Sequence, residues 1–167
     1  MKNSIATKTA YYGVLIALAL IFSYVEVLIP IPLGIPGVKL GLANIVILVA
    51  LYAMGTKDAF IISCIRIVLV GFTFGNMFSI LYSLAGAMLS WIVMVLCKKM
   101  KSFSIVGVSI AGGIAHNIGQ IIVAAIIMNT PGILSYLPVL LVAGTLTGFA
   151  IGVLGSIILK VQKKAFK

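Results

Sequence analysis

The chain has 167 residues, of which 63% are hydrophobic and 8% charged, with a mean hydropathy of +1.32. A soluble fold of this size has too little interior to hide so many apolar side chains behind so little polar surface, so the composition specifies an integral membrane protein. Twelve Lys and Arg against two acids give a net charge of +10, yet the basic residues fall in short clusters between apolar runs. That is not the solvated basic face a nucleic acid needs, so no nucleic-acid partner is expected.

In chain order, the opening MKNSIATK resembles the charged region of a signal peptide, but the apolar run behind it continues to Ile29 with no small-residue cleavage site. It therefore predicts a retained first helix over about 11–29. Next comes a connector, Pro30 to Val38, in which Pro30, Pro32 and Pro36 stiffen the backbone while Gly34 and Gly37 permit turns. The next two apolar runs, 40–54 and 59–74, are shorter than the roughly 20 residues a bilayer core needs. Gly75-Asn76 turns the chain into a fourth segment, 77–96, and the basic cluster around Lys98 precedes a fifth, 105–128. Asn129-Thr130-Pro131-Gly132 is the last breaker before a sixth, 133–159. The expectation is an all-α integral membrane protein, one membrane domain spanning 1–167, built as a bundle of six transmembrane helices.

With the N-terminus inside, Lys2, Lys8, Lys57, Lys98, Lys99, Lys101, Lys160, Lys163, Lys164 and Lys167 fall at cytoplasmic ends, and only Lys39 falls in an outer loop. The positive-inside rule then puts both termini in the cytoplasm, in what would be a bacterial cytoplasmic membrane. Cys64 and Cys97 lie far apart in apolar runs, so neither a disulfide nor a metal site is expected.

Ionisable side chains are expensive in hydrocarbon, so each one inside a span is a candidate for function. Glu26, Lys39 and Arg66 lie on or beside the first three spans, and His116 is on the fifth, one helical turn from Gln120 with Asn117 beside it. Asn44 opens the second span and Asn76 the fourth. At a rise of about 1.5 Å per residue, all of these reach the outer half of the bundle. Any one of them could simply join helices, with Glu26 pairing Arg66 or Lys39 and the amides bonding between helices. As a set, Glu26, Lys39, Asn44, Arg66, His116, Asn117 and Gln120 are more than packing requires and predict a ligand cavity of neutral to positive character. A carboxylate, a phosphate or a polarised carbonyl would suit it.

Small residues recur four apart at Gly13/Ala17 and Ala19/Ser23, at Ser79/Ser83/Ala87 and at Gly144/Gly148/Gly152, which predicts close helix contacts within the bundle or to a partner. No phosphate-binding G-x-x-x-x-G-K-[ST] run is present, so ATP-driven work would need another subunit. One His, with Asp58 and Glu26 at opposite ends, builds no acid–base pair or triad, so the chain is not expected to be an enzyme or to carry a cofactor.

The runs SYVEVLIPIP, PGVKLGLAN, SCIRIVL, YSLAGAMLS and HNIGQ together resemble the heptaprenyl diphosphate synthase component I family, also called the Gx transporter family, from Ser23 to about Ala125. That family is similar to the substrate-binding S components of energy-coupling factor (ECF) transporters, six-helix proteins with cytoplasmic termini. The resemblance implies a transport subunit that takes up a small micronutrient or isoprenoid-related ligand from the outer side. It also implies partners, an ECF-type transmembrane coupling subunit and ATPase subunits, with docking mapped to Gly13, Ala17, Ala19 and Ser23. The synthase name implies at most a membrane accessory, because a diphosphate leaving group needs metal held by several carboxylates and this chain has one Asp. Family members also resemble a membrane protein associated with flavin-based extracellular electron transfer, which implies a third reading as the membrane subunit of a flavin- or quinone-linked complex.

Overall fold

The computed structural model describes residues 5–28, 41–100 and 102–165. Lys39 and the Pro30 to Val38 connector lie outside the described residues. The described chain is helical: α1 (Ile5–Leu28), α2 (Asn44–Ala53), α3 (Thr56–Phe74), α4 (Met77–Lys99), α5 (Ile105–Ile127) and α6 (Leu137–Ala165), with a 3₁₀ turn at Pro131–Tyr136 leading into α6. Four helical units are long and apolar enough to cross a membrane: α1, α4, α5, and α6 with its 3₁₀ turn.

Local chemistry sets several of these boundaries. Asn76 caps α4 by accepting a hydrogen bond from the Ser79 N–H at 2.8 Å, and Ser104 caps α5 by accepting from the Gly107 N–H at 3.1 Å. Gly55, at φ 122°, separates α2 from α3 in a conformation that favours glycine. Before α6, Pro131 and Gly132 wind a 3₁₀ turn where a direct helix start at 133 had been expected.

α2 departs most from its expected form. Its ten residues span about 15 Å, half of a ~30 Å hydrocarbon core, so it cannot cross a bilayer alone as the 40–54 segment was expected to. A turn over Gly41 to Ala43 uses the residues that would have lengthened it, with Gly41 at φ 85°. Every residue from Ile45 to Leu51 is buried. A helix apolar on all sides belongs inside a protein, and α2 fills the core with Leu48 and Leu51 packed among Ala19, Ile62, Val108 and Ile151.

The other half of the molecule is an α4–α5–α6 layer held by glycines. A Cβ at Gly113 would stand 2.5 Å from the Gly144 carbonyl oxygen, one at Gly148 2.8 Å from the Ile110 Cα, and one at Gly152 2.7 Å from the Val106 Cα. The Gly144/Gly148/Gly152 seam is thus an internal contact with α5, where backbone meets backbone. Gly119 brings α5 equally close to α4, since its Cβ would stand 2.8 Å from the Ala85 carbonyl oxygen.

One end of the bundle gathers basic residues. Lys8 pairs with Asp58 at 2.8 Å, and the Tyr12 hydroxyl donates to the same carboxylate oxygen at 2.7 Å. Lys98 Nζ donates to the Leu51 carbonyl at 2.6 Å while lying over the Tyr52 ring. The Trp91 indole N–H donates to the Thr56 carbonyl at 3.0 Å, tying α4 to the start of α3.

Candidate functional site

At the opposite end of α1, the Glu26 carboxylate accepts hydrogen bonds from the backbone N–H groups of Gly41 and, at 3.2 Å, Leu42. These donors precede the first turn of α2, where no helical carbonyl can serve them. Glu26 therefore fastens the chain entering α2 onto α1, and its charge lies within electrostatic reach of Arg66.

Arg66 projects from the inward face of α3 and is only 7% exposed. Its Nη1 donates to Ser23 Oγ of α1 at 3.5 Å, and its Nε has no hydrogen-bond partner among the described residues. Its charge acts in turn on His116 of α5, which is 4% exposed. The His116 ring closes against the turn before α2, because a Cβ at Gly41 would stand 3.8 Å from its Cδ2 and 2.7 Å from the Asn44 side-chain nitrogen. It also closes against α4. A Cβ at Gly86 would stand 2.9 Å from His116 Nδ1 and 2.8 Å from Gln120 Cγ. The Gly86 backbone lies against the ring, and Nδ1 has no hydrogen-bond partner among the described residues. Gln120 is fully buried, and neither its amide nitrogen nor its amide oxygen has a partner among the described residues.

Glu26, Asn44, Arg66, His116 and Gln120 are thus brought together from α1, α2, α3 and α5. Asn117 stands apart. Its amide nitrogen donates to the Leu140 carbonyl at 2.7 Å, an interhelical bond that ties α5 to α6. Asn76 is spent as the α4 cap. Along the first-helix seam, Gly13 and Ala17 are exposed, whereas Ala19 and Ser23 face inward and pack within the bundle. Reading the sequence missed Gly41 and Gly86, whose lack of a side chain admits the imidazole. A glycine inside a helical run, as in LAGAM, is the signal that could have flagged Gly86.

Leaving a buried donor or acceptor unpaired costs about 1–3 kcal/mol per group. Arg66 Nε, His116 Nδ1 and both ends of the Gln120 amide form such a set in one place, offering donors and an acceptor under a net influence of Arg66 and Glu26. A void of about 10 Å³ extends beneath Asn44 toward Ser90, Ser109 and Thr147, with room for about one water. Among the described residues, no three His, Cys, Asp or Glu side chains come together as a metal site would require.

Neither the curated proteins nor the solved structures include a match to this chain. The family described as heptaprenyl diphosphate synthase component I matches residues 15–158. That match takes in every residue of the buried cluster and all but the ends of the helical fold, and the chain belongs to the heptaprenyl diphosphate synthase component I family.

Proposed function

We propose that the chain is a membrane-embedded substrate-binding subunit of a transporter, taking up a small micronutrient or isoprenoid-related ligand from the outer side and driven by partner ATPases. The supporting observation is the set of unpaired polar atoms on Arg66, His116 and Gln120, which a ligand with an anionic or carbonyl group would satisfy. In this reading all six helices lie in the bilayer with both termini cytoplasmic, and α2 reaches membrane depth only inside the bundle. Glu26 shapes the site by holding the entry to α2, while Asn44 borders it. Gly13 and Ala17, exposed and with open space over Gly13, suit close docking of a coupling subunit.

Native mass spectrometry of the gently purified complex tests this directly. Recovery of coupling and ATPase subunits, with a small ligand lost in Arg66→Ala and His116→Ala, is the expected result. Flavin or quinone recovered with a soluble redox partner and no ATPase would instead support the electron-transfer reading. The family description favours one other reading, a membrane accessory of prenyl diphosphate synthesis. It requires that deletion alter prenyl chain products, and unchanged products would remove it.

A further inference from the structure

A groove of about 220 Å³ runs between α3 and α4, lined on α3 by Phe60, Ser63, Cys64 and Ile67 and on α4 by residues that include Ala87 and Met88. Met88 at its rim is exposed and Cys64 half-buried, so the groove opens outward from the bundle. Its inner wall approaches the buried polar cluster along α3 and α4. Ser63 is one helical turn from Arg66 on α3, and Ala85 of the α4 wall meets α5 at Gly119, the residue before Gln120. A helix is about 10–12 Å across with its side chains, so a space of this volume does not seat a partner helix within it, whereas part of one hydrocarbon chain fits.

We infer that this groove holds the apolar tail of a ligand whose polar head is bound by Arg66, His116 and Gln120, making the ligand a single-tailed amphiphile with an anionic or carbonyl head that enters sideways from the bilayer. The inference rests on the binding-site reading above and narrows its ligand class. The head completes the unpaired polar atoms, and the tail lies against an apolar wall in which Ser63 is the one hydroxyl among the lining residues. Prenyl and fatty acyl tails share this chemistry.

The test uses the full-length chain in lipid nanodiscs with radiolabelled farnesyl diphosphate, palmitate or inorganic diphosphate, in a Cys97→Ser background where Cys64 is the remaining thiol. N-ethylmaleimide labelling of Cys64 reports occupancy of the groove. At least one tailed anion is expected to bind and to slow labelling about fivefold or more, and which of the two does so identifies the tail. Arg66→Gln, and separately Ala87→Phe, should each weaken that binding at least tenfold. Met88→Trp, at the exposed rim, is a second tail-blocking variant that leaves the core untouched. Arg66-dependent binding of inorganic diphosphate, with tailed anions gaining nothing and Cys64 unprotected, would overturn the groove assignment while leaving the polar site standing. Tailed anions bound equally well by Arg66→Gln would reduce the groove to an ordinary lipid contact and overturn the joined site. No Arg66-dependent binding of any probe would overturn both.

Discussion

Gly86→Ala is the sharpest probe of the coupling between packing and site. The added Cβ would stand 2.8 Å from the His116 carbonyl oxygen and 2.8 Å from Gln120 Cγ, and the first of these is backbone that cannot rotate away. Overpacking of this kind costs about 1–3 kcal/mol. Alanine is also a better helix former than glycine by about 1 kcal/mol, which partly hides the clash. Gly13→Ala supplies the reference, because nothing among the described residues lies within 4 Å of its added Cβ and it carries the propensity gain alone. The difference between the two variants therefore isolates the clash. At about 2–4 °C per kcal/mol for a chain of this length, Gly86→Ala should melt about 2–12 °C below Gly13→Ala. The single Trp91 at the α3–α4 junction offers a fluorescence readout for melts in one detergent. Two variants melting within about 1 °C of each other would mean that α4 does not approach α5 as closely as described, and the seating of His116 would fall with it.

Other expectations follow from single contacts. Glu26→Ala should expose the Gly41 and Leu42 amides to exchange at least tenfold faster, with Glu26→Gln intermediate because it keeps one acceptor; amide exchange read by mass spectrometry checks this. Asn117→Ala should cost about 0.6–1.7 kcal/mol of stability through loss of the Leu140 bond and leave ligand affinity unchanged, which binding measured beside melting would separate from a ligand role. The hydrogen bond from Lys8, and after it that from Tyr12, hold the Asp58 carboxyl below its usual 3.8. A depressed folded value stabilises the fold above that ordinary pKa and loses the contribution as pH falls through the lowered one. Melting should therefore drop below about pH 4, and Asp58→Asn should flatten that acid limb; an unchanged limb in the variant would refute the assignment.

Breaking the chain at charged and turn residues located the starts of α4 and α5 to the residue, and the structure shows Asn76 and Ser104 capping them there. It placed the start of α1 late, at Tyr11, because Lys8 looked like an end; the side chain instead reaches Asp58 from within the helix. It overestimated α2 because nothing in the local sequence says that Gly41 to Ala43 will turn under the hold of Glu26 fifteen residues away. The gathering of Arg66, His116 and Gln120 was legible from depth along the helices. That Asn117 faces Leu140, and that the α6 glycines meet α5, was not, because four-residue spacing says that a neighbour comes close without saying which one.

α2 also bears on how the chain is made. A ten-residue helix is shorter than the ~12–15 residues needed for marginal stability by itself in water, and it is too short to be handed to the bilayer alone. Part of its cover comes from the far end of the chain, where Leu48 packs against Gly155 and shares a cluster with Ile151. During vectorial synthesis α2 must therefore wait, incompletely enclosed, for the last helix to arrive. A nascent chain stopped short of residue 150 would lack the Ile151 and Gly155 contacts and leave its most apolar helix partly uncovered.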